Sequence, residues 1–177
     1  MSEIIIGIDP GARGALAILR DGSLEVCDLQ DCYAPTGSFR SLDQKLFYAL
    51  FSEKIGYIPH EDAIKQVMVF CEESQTMGGK GSAKAGGKAV RSIFDSRGVM
   101  RSVCWFKNYQ FQYVQPQNWK RHFGLLNTYK SASVEKACEL FPNQENLFMR
   151  PKRGGGTMML DGRAEAALIA LYGKEKR

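Results

Sequence analysis

The run Ile4-Ile5-Ile6-Gly7-Ile8 leads directly into Asp9 and then into the chain-reversing pair Pro10-Gly11. A strand with one solvated face alternates apolar and polar residues, whereas an unbroken β-branched run suits a strand buried on both faces. Glu3 to Asp9 therefore reads as a central strand of a layered sheet. A carboxylate at the end of such a strand is costly to desolvate without a partner. Asp9 thus either caps the turn that follows or belongs to a polar site at the end of the sheet.

The next segments extend this reading. Gly14 to Arg20 looks like a second strand, and Asp21-Gly22 supplies hairpin chemistry before Ser23 to Cys27, giving three antiparallel strands. From Ser41 to Ile55, Leu42, Leu46, Phe47, Leu50 and Phe51 recur at helical spacing. Lys65 to Cys71 reads as a strand, Lys88 to Arg97 as a helix ending before Gly98, and Val99 to Trp105 as a further strand. Ser131 opens a helix bearing Val134, Ala137, Cys138, Leu140 and Phe141, which Pro142 closes. The last helix carries Leu160, Ala164, Ala167, Leu168 and Leu171, preceded by the basic, glycine-rich stretch 151–156. Strands first, then helix and strand in alternation, imply an α/β fold around a mixed central sheet flanked by helices. At 177 residues, one domain spanning 1–177 is expected.

Composition bounds the function without choosing it. A formal net charge of +5 makes an anionic partner such as nucleic acid plausible, although a basic surface can equally be plain solvation. The five cysteines include no CxxC and no closely spaced Cys/His pair, which argues against a zinc site, and their odd number fits a disulfide framework poorly. With no basic leader and no apolar run of membrane-spanning length, a cytoplasmic setting without membrane contact is expected.

Four acids stand out by context. Glu72 ends the apolar run Val67-Met68-Val69-Phe70-Cys71 as Asp9 ends its own strand, and Glu73 follows it. Successive strand residues face opposite sides, so only one of that pair can share a site with Asp9. Asp161 and Glu165, four residues apart, lie on one face of the last helix. Singly, each acid also fits a cap or a solvated end. Jointly, they can converge on hard divalent cations, Mg²⁺ or Mn²⁺. Two such ions roughly 4 Å apart can activate water and stabilise a leaving oxygen beside a scissile phosphate.

Ile6-Gly7-Ile8-Asp9-Pro10-Gly11, Phe70-Cys71-Glu72-Glu73-Ser74-Gln75-Thr76-Met77 and Leu160-Asp161-Gly162-Arg163-Ala164-Glu165-Ala166-Ala167-Leu168, in this order and spacing, make the chain similar to the RuvC-like Holliday junction resolvases. These have the ribonuclease H-like fold, and the likeness is greatest to small bacteriophage members. The resemblance implies a homodimeric endonuclease acting on four-way junctions and other branched DNA. Asp9, Glu72, Asp161 and Glu165 would be its metal-binding and catalytic acids, with two Mg²⁺ ions per site and Glu73 a mere neighbour. Two features depart from the pattern: Glu165 stands where Asp is frequent, and its spacing from Asp161 is four rather than three.

The resemblance extends to Gln115-Pro116-Gln117-Asn118-Trp119-Lys120 and Tyr129-Lys130-Ser131, which implies that Lys120 and Lys130 bind phosphate or stabilise developing charge at the site. Trp119 reads as a core anchor. Lys80, Lys84 and Lys88, in and beside a glycine-rich loop, are candidates to follow the DNA backbone, a solvated loop being the other reading. The aromatic wedge of bacterial relatives is replaced here by Gln75, Thr76 and Met77, leaving junction opening to Met77, to Tyr109, Phe111 and Tyr113, or to another element. Ala89 to Phe94 is a candidate surface for dimerisation. Two other classes compete: a non-catalytic branched-DNA binder of the same fold, and an actin-like or kinase-type ATP-binding module, for which the chain is short.

Overall fold

The computed structural model describes residues 3–36, 39–73, 87–129 and 131–177, without the side chains at 36, 39 and 87–90. The chain begins with the strands β1 (Ile4–Ile8), β2 (Ala15–Arg20) and β3 (Ser23–Asp28). As the sequence implies, β1–β2 and β2–β3 pair antiparallel, the second through the tight turn at Asp21-Gly22. Two further strands, β6 (Val67–Glu72) and β7 (Gln110–Val114), join on the other side of β1 in parallel, giving the sheet order β3-β2-β1-β6-β7. Every residue of β1 is buried, as expected for the middle of five strands.

Each face of this sheet carries its own core. Ile4, Ile6 and Ile8 point to one side, against α1 (Gln44–Ile55) and α3 (Gly87–Phe106), where Phe47, Phe51, Met100 and Val103 fill the space. Ile5 points to the other side, where Ala164, Ala166, Ala167 and Ala170 of α6 (Asp161–Glu175) lie against β1 and β2. Packing there is close enough that a Cβ on Gly7 would stand 2.1 Å from the carbonyl oxygen of Ala166. Between α3 and α6 the chain forms α4 (Pro116–His122), α5 (Ala132–Leu140) and a small hairpin of β8 (Met149–Pro151) and β9 (Thr157–Met159).

Several boundaries differ from the sequence reading. The helix expected from Ser41 starts at Gln44, because Ser41 and Leu42 belong to β5 (Phe39–Leu42), which pairs with β4 (Tyr33–Thr36). Asp43 is the true N-cap, its carboxylate accepting from the N–H groups of Lys45 and Leu46 at 2.9 and 3.0 Å. Lys65 and Gln66 close a short helix, α2 (His60–Gln66), instead of opening β6.

The largest correction concerns Val99 to Trp105, which is not a strand but the second half of α3. Ser96, Met100, Val103 and Cys104 are buried at helical spacing straight through Gly98. Gly98 lies on the outer face with nothing near the position of a Cβ, so it costs the helix about 1 kcal/mol without breaking it. The strand role falls to β7, which the sequence reading left unassigned.

Candidate active site

Strands β1, β6 and β7 end together. Ile8 is paired with Cys71 and Glu72 with Val114, so the next residue along β1, Asp9, comes level with Glu72 on neighbouring strands about 4.8 Å apart. Side-chain alternation then decides the face. Ile5 and Phe70 point toward α6, and Asp9 and Glu72 share their parity. Cys71 points to the α1–α3 side, and Glu73 follows it there, meeting Arg97 of α3 at 3.5 Å and the side-chain amide of Gln115. The choice of Glu72 over Glu73 as Asp9's neighbour thus has a geometric basis.

Helix α6 brings the second pair. Its first residue is Asp161, and Glu165 follows one turn later. Close approach of this end to the β1 turn depends on Gly162: a Cβ there would meet the Arg13 carbonyl oxygen at 2.3 Å and stand 3.2 Å from Oδ2 of Asp9. Arg163 ties the same end of α6 to the end of β3, its guanidinium donating to both Asp28 oxygens at 2.7 Å. That fork holds the Asp28 carboxyl below its ordinary range.

The electrostatics report the convergence. The Asp9 carboxyl is pushed up to about 8, first by burial and then by the negative charges of Glu165, Glu72 and Asp161, with Lys120 opposing. Burial also raises Glu72, against which the Trp119 hydrogen bond acts. All four acids keep part of their surface open, so they form a rim and not an enclosed pocket. Among the described residues, no three His, Cys, Asp or Glu side chains are gathered into a ready-made metal cage. Their partners explain the spread. Glu72 accepts from Trp119 Nε1 at 2.9 Å, and Glu165 accepts from Ser133 Oγ at 3.2 Å with Lys120 Nζ at 3.6 Å.

Short helix α4 supplies two of these partners. Pro116 occupies its first turn, with Gln115 extended before it. Trp119 is fully buried, as a core anchor should be, yet its indole N–H also reaches Glu72. Lys120 lies 5.0 Å from the Trp119 ring centroid and joins the acids, as expected. Sequence reasoning gave no role to Ser133, Arg163 or Gly162. Only for Gly162 was there a signal, a glycine between two retained acidic positions.

The other expected residues are divided. Lys80, Lys84 and Lys130 lie outside the described residues, as does Met77, while Lys88 has its backbone in the first turn of α3 and no described side chain. Tyr109 is buried against Phe51, so it offers no wedge. Phe111 and Tyr113 are partly buried and packed edge to face, with Arg97 4.4 Å over the Tyr113 ring. Phe94 is exposed on α3 together with Trp105 and Phe106.

No protein-family model and no curated protein sequence matches the chain. Solved structures do. Thermus thermophilus RuvC superposes with a TM-score of 0.51 at 14% identity, covering 98% of this chain and 96% of that one. The chain has the RuvC fold. RuvC of the same organism in complex with a Holliday junction substrate gives a TM-score of 0.51 at 13% identity, over 97% and 96% of the two chains. The yeast mitochondrial Holliday junction resolvase Ydc2 gives 0.55 at 15% identity, over 95% of this chain and 76% of that one. The ribonuclease H-like architecture implied by the sequence motifs is therefore present along nearly the whole chain. Within this RuvC fold the four acids come from the ends of β1 and β6 and from the start of α6.

Proposed function

We propose that the chain is a metal-dependent, structure-selective endonuclease that resolves Holliday junctions and related branched DNA by paired phosphodiester hydrolysis. The observation that carries this reading is the placement of four acids at one end of the sheet, with Asp9 level with Glu72 and the Asp161–Glu165 turn of α6 packed against the β1 end; burial first, and the other three carboxylates next, push the Asp9 carboxyl up to about 8. Such an arrangement is unfavourable unless a cation offsets the charge. The donors are all hard oxygens, which fit Mg²⁺ or Mn²⁺. Asp9, Glu72, Asp161 and Glu165 would hold the metal, and the bound metal would supply charge neutralisation at the scissile phosphate and at the oxygens that attack and leave.

The rest falls to the chain's own groups. Trp119 orients Glu72 through its indole N–H, and Ser133 does the same for Glu165 through its hydroxyl. Lys120, 3.6 Å from Glu165, would bind phosphate or stabilise developing charge beside the acids. Lys130 and Lys80, Lys84 and Lys88 are assigned to DNA backbone contacts. Two copies of the chain would make the paired cuts, and the exposed Phe94, Trp105 and Phe106 of α3 offer an apolar surface for pairing.

The deciding experiment is cleavage of a fixed four-way junction with and without Mg²⁺, run beside Glu72→Gln and Glu73→Gln. Metal-dependent paired nicks, lost in Glu72→Gln and retained in Glu73→Gln, are expected. Cutting in chelator, or the reverse order of the two variants, would overturn the assignment.

A further inference from the structure

The hairpin β8–β9 runs directly into the acidic rim: Met159 ends β9, and Asp161 begins α6 two residues later. Met159 lines, with Tyr129, Ser131 and Asp161, a hollow of about 360 Å³. Between 149 and 159 the chain carries Arg150, Lys152 and Arg153 and no acid. All three are exposed, and neither Lys152 nor Arg153 has an ion-pair partner among the described residues. By contrast, Arg97, Lys120, Lys136 and Arg163 each lie within 4 Å of a carboxylate.

A two-stranded hairpin of this length is marginal alone, but this one is anchored. The fully buried Phe148 precedes it, the Leu160 N–H donates to the Phe148 carbonyl at 2.8 Å, and Arg163 reaches the Leu147 carbonyl at 3.4 Å. Its turn is closed by the Lys152 N–H on the Gly156 carbonyl at 3.0 Å. Gly154, Gly155 and Gly156 all have positive φ, with open space where a Cβ would be. The tip is thus a bare backbone turn flanked by unpaired cations, which a bulky polyanion can approach closely.

We infer that this hairpin is a backbone clamp for DNA, gripping phosphates beside the acidic rim. The inference rests on the endonuclease reading and adds a binding element to it. Four carboxylates repel the strand they must act on, and Lys120, 3.6 Å from Glu165, is the cation that the described residues place beside them. Cations fixed at the rim's edge offset that repulsion where it is strongest. Four residues of extended chain from Thr157 to Asp161 span at most about 14 Å. Thr157, at the foot of the turn that carries Lys152 and Arg153, therefore lies within roughly four base steps of Asp161 along a strand with a 3.4 Å rise.

The test is the salt dependence of binding to a labelled four-way junction in chelator, for the wild type, for Lys152→Ala/Arg153→Ala, and for the charge-matched Lys174→Ala/Lys176→Ala. The last pair lies at the opposite end of α6, roughly 20 Å away at 1.5 Å per residue. Each phosphate contact contributes about 0.9 to the log-log slope, so the hairpin variant should be flatter by about 1.8 while the control keeps the wild-type slope. Thermal melting should be unchanged, since both hairpin residues are exposed. An unchanged slope in a wild type that binds and cuts junctions overturns the clamp alone, and so does equal flattening in the control. A wild type that neither binds nor cuts overturns the endonuclease reading and the clamp with it.

Discussion

The two faces of the central sheet are packed differently where helices lie on β1 and β2. On the α1–α3 side, bulky side chains do the work: Phe47 and Phe51 stand 4.6 Å apart between centroids, and Tyr109 stacks on Phe51. On the α6 side the helix presents Gly162, Ala164, Ala166, Ala167 and Ala170, and β1 and β2 answer with Gly7, Ala15 and Ala17. Large side chains give volume, and the hydrophobic stabilisation that goes with it. Small ones give proximity, which brings a helix bearing two acids against a strand end bearing another. Both faces hold the sheet together, the α6 side with Phe70, Trp119, Phe148 and Ile169 as well, but only that side assembles the candidate site.

The largest expected effect lies on the proximity side. Asp9→Asn should lower junction cleavage by roughly 10³-fold or more, on the scale of losing a key charge-stabilising group, while binding survives. Single-turnover cleavage beside an anisotropy titration checks this. Comparable cutting by the variant would remove Asp9 from the chemistry.

A matched pair of substitutions separates the faces more sharply. Phe47→Ala should cost about 3–5 kcal/mol of stability, as truncation of a fully buried aromatic does, with activity per folded molecule unchanged. Gly162→Ala should do the reverse of this, displacing the start of α6 and lowering cleavage more than stability. Urea melts and active-site-normalised rates read the two together, and parallel losses in both variants would abolish the distinction.

A third effect is a pH signature of the metal-free protein. The folded Asp9 carboxyl titrates near 8 against an ordinary value of 3.8. Folding therefore favours its protonated form, which gives a stabilisation fully present below about pH 4 and lost as pH rises through about 8. The melting temperature in chelator should fall across that window, and Asp9→Asn should flatten the fall. A flat wild-type profile would mean that Asp9 is neither buried nor crowded by the other acids. Smallest is Trp119→Phe, which keeps an aromatic ring in the core with some loss of volume and removes the indole donor to Glu72. One hydrogen bond to a charged group is worth roughly 1.5–3 kcal/mol. Metal affinity by calorimetry should therefore weaken by at least about tenfold, and an unchanged affinity would leave Trp119 a packing residue only.

The same contrast explains what could be read without the fold. The apolar strands β1 and β6, the three-strand meander, the last helix and all four acids were legible, because burial on both faces and helical periodicity are local patterns. The segment 99–105 was misread, since a glycine on the exposed side of a helix looks in sequence like a terminator. Lys65 and Gln66 were assigned to a strand, because a short helix abutting a strand leaves too few residues for a period to show. The hairpin β8–β9 was seen only as a basic glycine-rich stretch, since strands of three residues carry no alternation to read.

The sequence by itself determined that Asp9 and Glu72 end buried strands and that Asp161 and Glu165 share a helix face, because these are matters of period along one element. It also restricted the partner of Asp9 to one of Glu72 and Glu73. The family resemblance named Glu72, and the tertiary structure supplies the physical reason. The parallel register sets Asp9 level with Glu72, and the small residues at Gly7 and Gly162 let α6 approach until burial, and then three other carboxylates, raise the Asp9 carboxyl. Register and approach distance are properties of two elements at once, and no pattern along a single stretch of chain encodes them.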